Sequence, residues 1–254
     1  MTAVPHFGVS VLTTAYLPPV EYFYAIAHSD RVLIEQHEAY QKQSWRNRCR
    51  ILATAGPEDL SIPVVKEERL SRPIRDIRID YGEPWLQHHI RAFSAAYNHS
   101  AFYDYYADDL IPLLERKPVF LFDLNMSLLE KLMALLGLDV PVSLTDFFVT
   151  DYSSVEEKNV SLPRRQNLQG SRHLALKNRT FSTRPPRDVF FFDGRERIQP
   201  KYKGESLLAE YGSEQAYYQV FVNRDPSRES FIPNLSIIDL LSAEGPNAGA
   251  FLRI

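Results

Sequence analysis

Apolar positions along this chain arrive in two rhythms, β-branched runs and recurrences every three or four residues, and their order predicts a fold. Val9–Thr13 is a short β-branched run and reads as a strand. Tyr16-Leu17-Pro18-Pro19 marks a turn; proline is tolerated in the first turn of a helix, where its missing N–H has no partner to lose. Val20–His28 then reads as a short helix with Phe23, Ile26 and Ala27 toward a core, and Arg31–Glu35 as a second strand. Strand, helix and strand within about thirty residues form a βαβ unit. That unit predicts an α/β fold with a mostly parallel, Rossmann-like sheet flanked by helices.

Further along, Leu60–Val65 reads as a strand that Pro63 confines to an edge or end. In Ile74–Tyr81, isoleucines alternate with charges, with one irregularity, which predicts a half-exposed strand. Pro84–Tyr97 predicts a helix on which Trp85, His89, Phe93 and Ala96 or Tyr97 share a face, with His88 turned away. Ser127-Leu128-Leu129-Glu130 has the form of a capping box opening a helix that Gly137 closes. Val189–Phe192 and Ala216–Val222 read as apolar strands, and Ser236-Ile237-Ile238-Asp239 as a second capping box with Gly245 as C-cap.

Composition sets bounds on this picture. A length of 254 residues with 44% hydrophobic content fits a single domain spanning 1–254 with a sizeable core. No apolar run reaches the roughly 18 residues of a membrane span, so no membrane insertion is expected. The first ten residues lack the pattern of a signal peptide. One cysteine, Cys49, excludes an intramolecular disulfide framework and fits a reducing compartment, so a cytoplasmic location is expected. The net charge of −3 conceals an asymmetry: Lys158–Arg187 holds eight basic residues and no acidic one. The segment 152–187 therefore reads as a basic insertion. It is either a solvated loop or one that orders over an anionic ligand such as a nucleotide diphosphate or phosphopantetheine. It has few aromatics for base stacking, and no nucleic-acid partner is expected.

The stretch richest in candidate chemistry is Glu35–Ile51, directly after the second strand, where open α/β sheets bind ligands. Lys42, Arg46, Arg48 and Arg50 could hold a phosphate or carboxylate by charge-assisted hydrogen bonds; the plain alternative is a polar surface loop anchored by Trp45. His89 is either a satisfied core histidine or a general base in a dry pocket. His37 lies two residues from Glu35, so a carboxylate could orient its ring. Cys49 between two arginines could be a thiolate nucleophile, or a small buried residue at a strand start. No phosphate-binding glycine loop, GxGxxG, HExxH or GxSxG is present. One Cys and scattered His do not make a zinc set, and the sequence names neither a cofactor nor a need for ATP.

Taken together, these segments resemble the WbqC-like family. The resemblance rests on Tyr16-Leu17-Pro18 with Tyr22-Phe23, Glu35, Tyr40–Gln43, Trp45–Ile51, Leu60–Val64, Trp85 with His89, Tyr97 and Phe122–Asn125. It continues in Asp193-Gly194-Arg195 with Ile198 and Pro200-Lys201, Tyr218–Phe221 and Phe231–Leu241. The stretch around 152–187 matches poorly. The resemblance implies a transferase that forms an amide between an activated glycyl or acyl donor and an amino sugar in bacterial surface polysaccharide (O-antigen-type) biosynthesis. Its partners would be a phosphate-bearing small-molecule donor, an amino-sugar acceptor and, as a further candidate, an acyl carrier protein. The alternative is a non-catalytic binding protein for a phosphorylated sugar, a nucleotide or an acyl carrier. For amide formation the catalytic set is His89, His37 and Asn47, as base or oxyanion donor, with His89 ahead of His37. The binding set is Tyr16, Lys42, Trp45, Arg46, Arg48, Arg50 and Trp85. Lys42, Asn47, Arg48 and His89 are expected to converge on one pocket.

Overall fold

A computed structural model describes residues 5–66, 72–150, 191–223 and 231–253. The basic segment 152–187 lies outside the described residues, as do Val189 and Phe190 at the start of one expected strand. The strands are β1 (Phe7–Thr13), β2 (Ser29–Glu35), β3 (Arg48–Ala53), β4 (Gly56–Ser61), β5 (Val142–Leu144) and β6 (Phe191–Asp193). The helices are α1 (Val20–Ala27), α2 (Trp85–Tyr97), α3 (Tyr103–Glu115), α4 (Leu121–Leu135), α5 (Gly194–Arg197), α6 (Leu207–Glu210), α7 (Val220–Asn223), α8 (Ile237–Glu244) and α9 (Ala248–Phe251).

The sheet is parallel, in the order β5-β2-β1-β6, and is opened by the expected β1-α1-β2 unit. β1 lies between two partners and is buried along its whole length, as a strand covered on both faces must be. β2 and β5 lie on one side of β1 and β6 on the other, so the chain reverses its direction of addition between β1 and β6. In open α/β sheets, the crevice outside the carboxyl ends of the strands at such a switch point is where ligands bind. Gly194 is needed at that point, because a Cβ there would lie 2.5 Å from Leu12 Cδ2 and 2.9 Å from Phe192 Cε1.

A second layer is the antiparallel hairpin β3–β4, packed against α2 and α8. The C-terminal segment binds both layers. Ser236 N–H donates to the Arg50 carbonyl, Ile237 N–H to that of Pro18, and Val20 N–H to that of Leu235, at 2.7–3.0 Å. The turn at Tyr16–Pro19 is thus held by residues more than two hundred positions away. Among the described residues, no helix is long and apolar enough to cross a membrane.

Four expected elements differ. The strand around Leu60 ends at Ser61, and Val64 lies beyond it in an isolated bridge to Ile79. The alternating stretch 74–81 is a 3₁₀ turn over Ile74–Asp76 followed by isolated bridges; the three-residue step from Ile74 to Ile77 that broke the alternation is the turn itself. Ser127 lies inside α4, which begins at Leu121, and its hydroxyl bonds back to the Asp123 carbonyl at 2.9 Å. Ala216–Val222 is an irregular segment running into α7, anchored by side chains instead of a ladder: Tyr217 Oη and Gln219 Nε2 donate to buried Asp239 at 2.7 and 3.1 Å. That use of Asp239 also explains why the second capping box does not form, although α8 starts where expected; Ser236 Oγ donates instead to the Leu17 carbonyl.

Gly194→Ala is expected to lower stability by about 1–3 kcal/mol, the usual range for overpacking a close-packed interior. A urea denaturation midpoint equal to that of the parent would show that β6 is not pressed against β1 as described.

Candidate functional site

The carboxyl ends of β2, β5 and β6 meet at one carboxylate. Glu35, the last residue of β2, is fully buried. Its Oε1 accepts from the His37 backbone N–H at 2.8 Å and from Thr145 Oγ1 at 2.9 Å. Its Oε2 accepts from the Val149 N–H at 2.9 Å and from Arg195 Nη1 at 3.4 Å. Thr145 directly follows β5, and its carbonyl accepts from Gln36 Nε2 at 2.6 Å and His37 Nε2 at 3.0 Å. Arg195, at the start of α5, donates through Nε and Nη2 to Asp193 at the end of β6 and lies over the Phe148 ring at 5.0 Å.

A second buried charge pair lies behind this cluster. Arg46 has no exposed side chain and donates through Nε and Nη2 to both oxygens of Glu38. Burial pushes the Glu38 carboxyl above its ordinary value, and Arg46 opposes that shift. Gln41 accepts from Arg46 Nη1 at 3.3 Å and reaches Glu196 of α5 at 3.5 Å. The Arg46 carbonyl accepts from Asn125 Nδ2 at 2.8 Å, which fastens the loop to α4.

The hairpin uses the remaining arginines. Arg48 and Arg50 lie on one face of β3 and both hold Asp59 across the ladder, Arg48 through Nη1 at 3.1 Å and Arg50 through Nε at 2.7 Å. Strand alternation sends Cys49 to the opposite face, 1% exposed in the core. Burial first, then the charges of Asp59 and Glu58, push its thiol well above its ordinary value. The flanking arginines therefore do not activate it, and Cys49 is a core residue.

His89, Asn47 and Arg48 meet the same short stretch from different sides. Arg48 Nε donates to Ser61 Oγ at 3.2 Å, Asn47 Nδ2 to the Ile62 carbonyl at 2.7 Å, and the His89 ring faces the Ser61 backbone. His89 Nδ1 pairs with Tyr16 Oη at 2.9 Å, and Trp85 packs edge-on against the ring. These groups converge, and Arg48 and Asn47 each use donors on the protein. Among the described residues, Asn47 Oδ1, Trp45 Nε1 and Trp85 Nε1 are buried polar atoms with no partner. Lys42 is exposed and makes no ion pair among the described residues. No group of three or more His, Cys, Asp or Glu side chains among the described residues is placed to hold a metal ion.

Sequence reasoning named Glu35 and His37 but missed Thr145, Glu38, Asp193 and Arg195. The signal for the last two was available: an apolar strand ending in Asp193, then Gly194, then a helix, marks a strand's carboxyl end. Nothing marks Thr145, because β5 is three residues long with a serine at its centre.

Two predictions follow from these buried groups. Glu38→Gln leaves the Arg46 charge buried and unpaired, which costs about 3–5 kcal/mol, whereas Glu38→Leu combined with Arg46→Met recovers most of that loss. Urea unfolding of both variants checks the contrast, and a stable Glu38→Gln protein would contradict the burial described. Burial, reinforced by His88, lowers the His89 imidazole to about 4 against an ordinary 6.5. Between those values the unfolded chain binds a proton that the folded ring refuses. This contribution is therefore fully present above about 6.5 and is lost as pH falls toward 4. Moving from neutral to mildly acid pH should cost about 1–2 kcal/mol through this ring. His89→Gln should show a smaller loss in the same unfolding assay.

Comparison with known proteins agrees with the resemblance read from the sequence. The family model described as the WbqC-like protein family matches residues 14–174. A Mycobacterium tuberculosis (strain ATCC 25618 / H37Rv) protein named uncharacterized protein Rv1507c is 28% identical over 247 residues, covering 96% of this chain and 97% of its own length. No solved structure matches the chain. With well over half its length under the family model, from the end of β1 past β5, the chain belongs to the WbqC-like protein family.

Proposed function

We propose that the chain transfers an activated glycyl or acyl group to the amine of an amino sugar, in the making of an O-antigen-type surface polysaccharide. The reaction is placed at the carboxyl edge of the parallel sheet. The observation that carries this reading is the cluster of Glu35, His37, Thr145, Asp193 and Arg195 at the ends of three strands, beside the switch point. An amine acceptor must lose a proton, and His37 is a half-buried imidazole in that cluster. The order read from the sequence is therefore reversed: His37 is the base, and His89, enclosed and held neutral, supports the Tyr16 turn. Lys42 is the exposed cation that meets a phosphate-bearing donor. Arg46, Arg48 and Arg50 form the frame around it, and an acyl carrier protein would approach over the same edge.

A second reading, a binding protein for a phosphorylated sugar, nucleotide or acyl carrier, draws support from Asn47. One N–H of its amide is committed to the Ile62 carbonyl, which leaves a single N–H on this residue for an oxyanion.

Turnover separates the two readings. The purified chain is incubated with a UDP-linked amino sugar and, in turn, glycine with ATP, a glycyl thioester, or acetyl-CoA. The expected result is an amide product by mass spectrometry, reduced about 10²–10⁴-fold by His37→Ala. A protein that retains the nucleotide sugar but returns it unmodified with every donor supports the binding reading.

A further inference from the structure

The geometry points to Thr145 and Glu35 as positioning residues that fix the His37 ring in one tautomer, with Nδ1 as the nitrogen that takes the amine's proton. This inference rests on the transferase reading and names how its base is prepared.

The argument starts from the Thr145 carbonyl, which can only accept hydrogen bonds. His37 Nε2 lies 3.0 Å from it, so Nε2 carries the hydrogen in the neutral ring. Nδ1 is then the nitrogen with a free lone pair, and among the described residues no side chain is bonded to it. Which nitrogen bears the hydrogen is set in this way whenever one of them has an obligate acceptor.

The carbonyl is itself held from several sides. Thr145 N–H donates to the Ile34 carbonyl at 3.0 Å, continuing the β2–β5 pairing by one residue. Thr145 Oγ1 donates to Glu35 Oε1 at 2.9 Å and accepts from the Gln36 N–H at 3.3 Å. The same Glu35 oxygen accepts the His37 backbone N–H at 2.8 Å. One carboxylate thus fixes both the main chain of the base and the residue whose carbonyl orients its ring. The arrangement has the logic of a base oriented by a third group, with a backbone carbonyl in the orienting position and the carboxylate one residue behind it.

In the proposed step the amine nitrogen attacks the acyl carbon of an acyl phosphate or thioester, and the C–N bond forms. The C–O or C–S bond to the donor breaks, and its electron pair leaves with the phosphate or thiolate. The amine proton passes to His37 Nδ1 and from there to the leaving group or solvent. Only Nδ1 can receive it without breaking the bond to Thr145.

The test uses the full chain with ¹⁵N-labelled histidine. Two-bond ¹⁵N–¹H spectra, recorded where the ring is neutral, report the tautomer without any substrate. The expected result is an Nε2–H signature for His37 that becomes a mixture in Thr145→Val and returns in Thr145→Ser. With acetyl-CoA and a UDP-linked amino sugar, Thr145→Val is expected to lower kcat about tenfold at unchanged KM, the share of a misoriented base, and Thr145→Ser to restore it. An Nδ1–H tautomer in the parent protein overturns the inference and leaves the transferase reading standing. So does a Thr145→Val protein with unaltered tautomer and kcat. Failure of the parent chain to form product with any donor overturns the transferase reading, and the assignment of a base falls with it, whatever the tautomer.

Discussion

The structure depends on one buried carboxylate. Glu35 has no exposed surface, and an isolated charge so placed would cost more than the fold can supply. It is tolerated because its two oxygens are met by a backbone N–H after β2, a hydroxyl and a backbone N–H after β5, and a guanidinium after β6. Those four donors belong to three different connections. Satisfying Glu35 therefore fixes where three loops leave the sheet. A buried polar network of this kind, fully satisfied, rigidifies and specifies one arrangement. The edge where a ligand would bind is stiff for the same reason that Glu35 can be buried.

The parts of this architecture that depend on local pattern were legible in the sequence. Val9–Thr13, Val20–His28 and Arg31–Glu35 carry their periods openly; β1 and β2 each start two residues earlier, and α1 ends one residue sooner. The face of α2 bearing Trp85, His89 and Phe93 was equally plain. What could not be read were contacts whose partners are far apart in the chain. Asp239 looked like half of a capping box, but its Oδ2 accepts from both Tyr217 and Gln219. Thr145 has no local signature, because its importance comes from Glu35, more than a hundred residues earlier. Cys49 shows the limit of sequence neighbours: of its two readings the buried residue at a strand start holds, because Arg48 and Arg50 point to the opposite face of the strand.

The same distinction governs the arginines. A run of cations suggests an anion site only if their charges remain uncommitted. Arg46 is spent on Glu38, and Arg48 and Arg50 share Asp59. Their acidic partners lie several positions away in the sequence and become visible only when the hairpin closes and the loop folds back. Pairing turns a would-be phosphate clamp into a frame. The frame has a cost, since a buried ion pair seldom stabilises more than apolar packing would. Its value is in specificity: Arg46 ties the loop to α4 through its carbonyl and to α5 through Gln41.

This leaves the chemistry to groups the frame does not consume. The two histidines separate on that criterion. His89 is enclosed, with Nδ1 paired to Tyr16 and the ring facing the β4 backbone, and its environment disfavours the charged ring. A group so enclosed cannot accept a proton from an arriving amine without first giving up a bond that holds the Tyr16 turn. His37 has one nitrogen committed to an acceptor and the other uncommitted among the described residues, at the edge where the sheet opens. A base needs both conditions at once: one nitrogen held so that the ring has a single orientation, and one left over to react. In this fold the buried carboxylate meets the first condition without touching the imidazole, by fixing the strand end from which the Thr145 carbonyl projects.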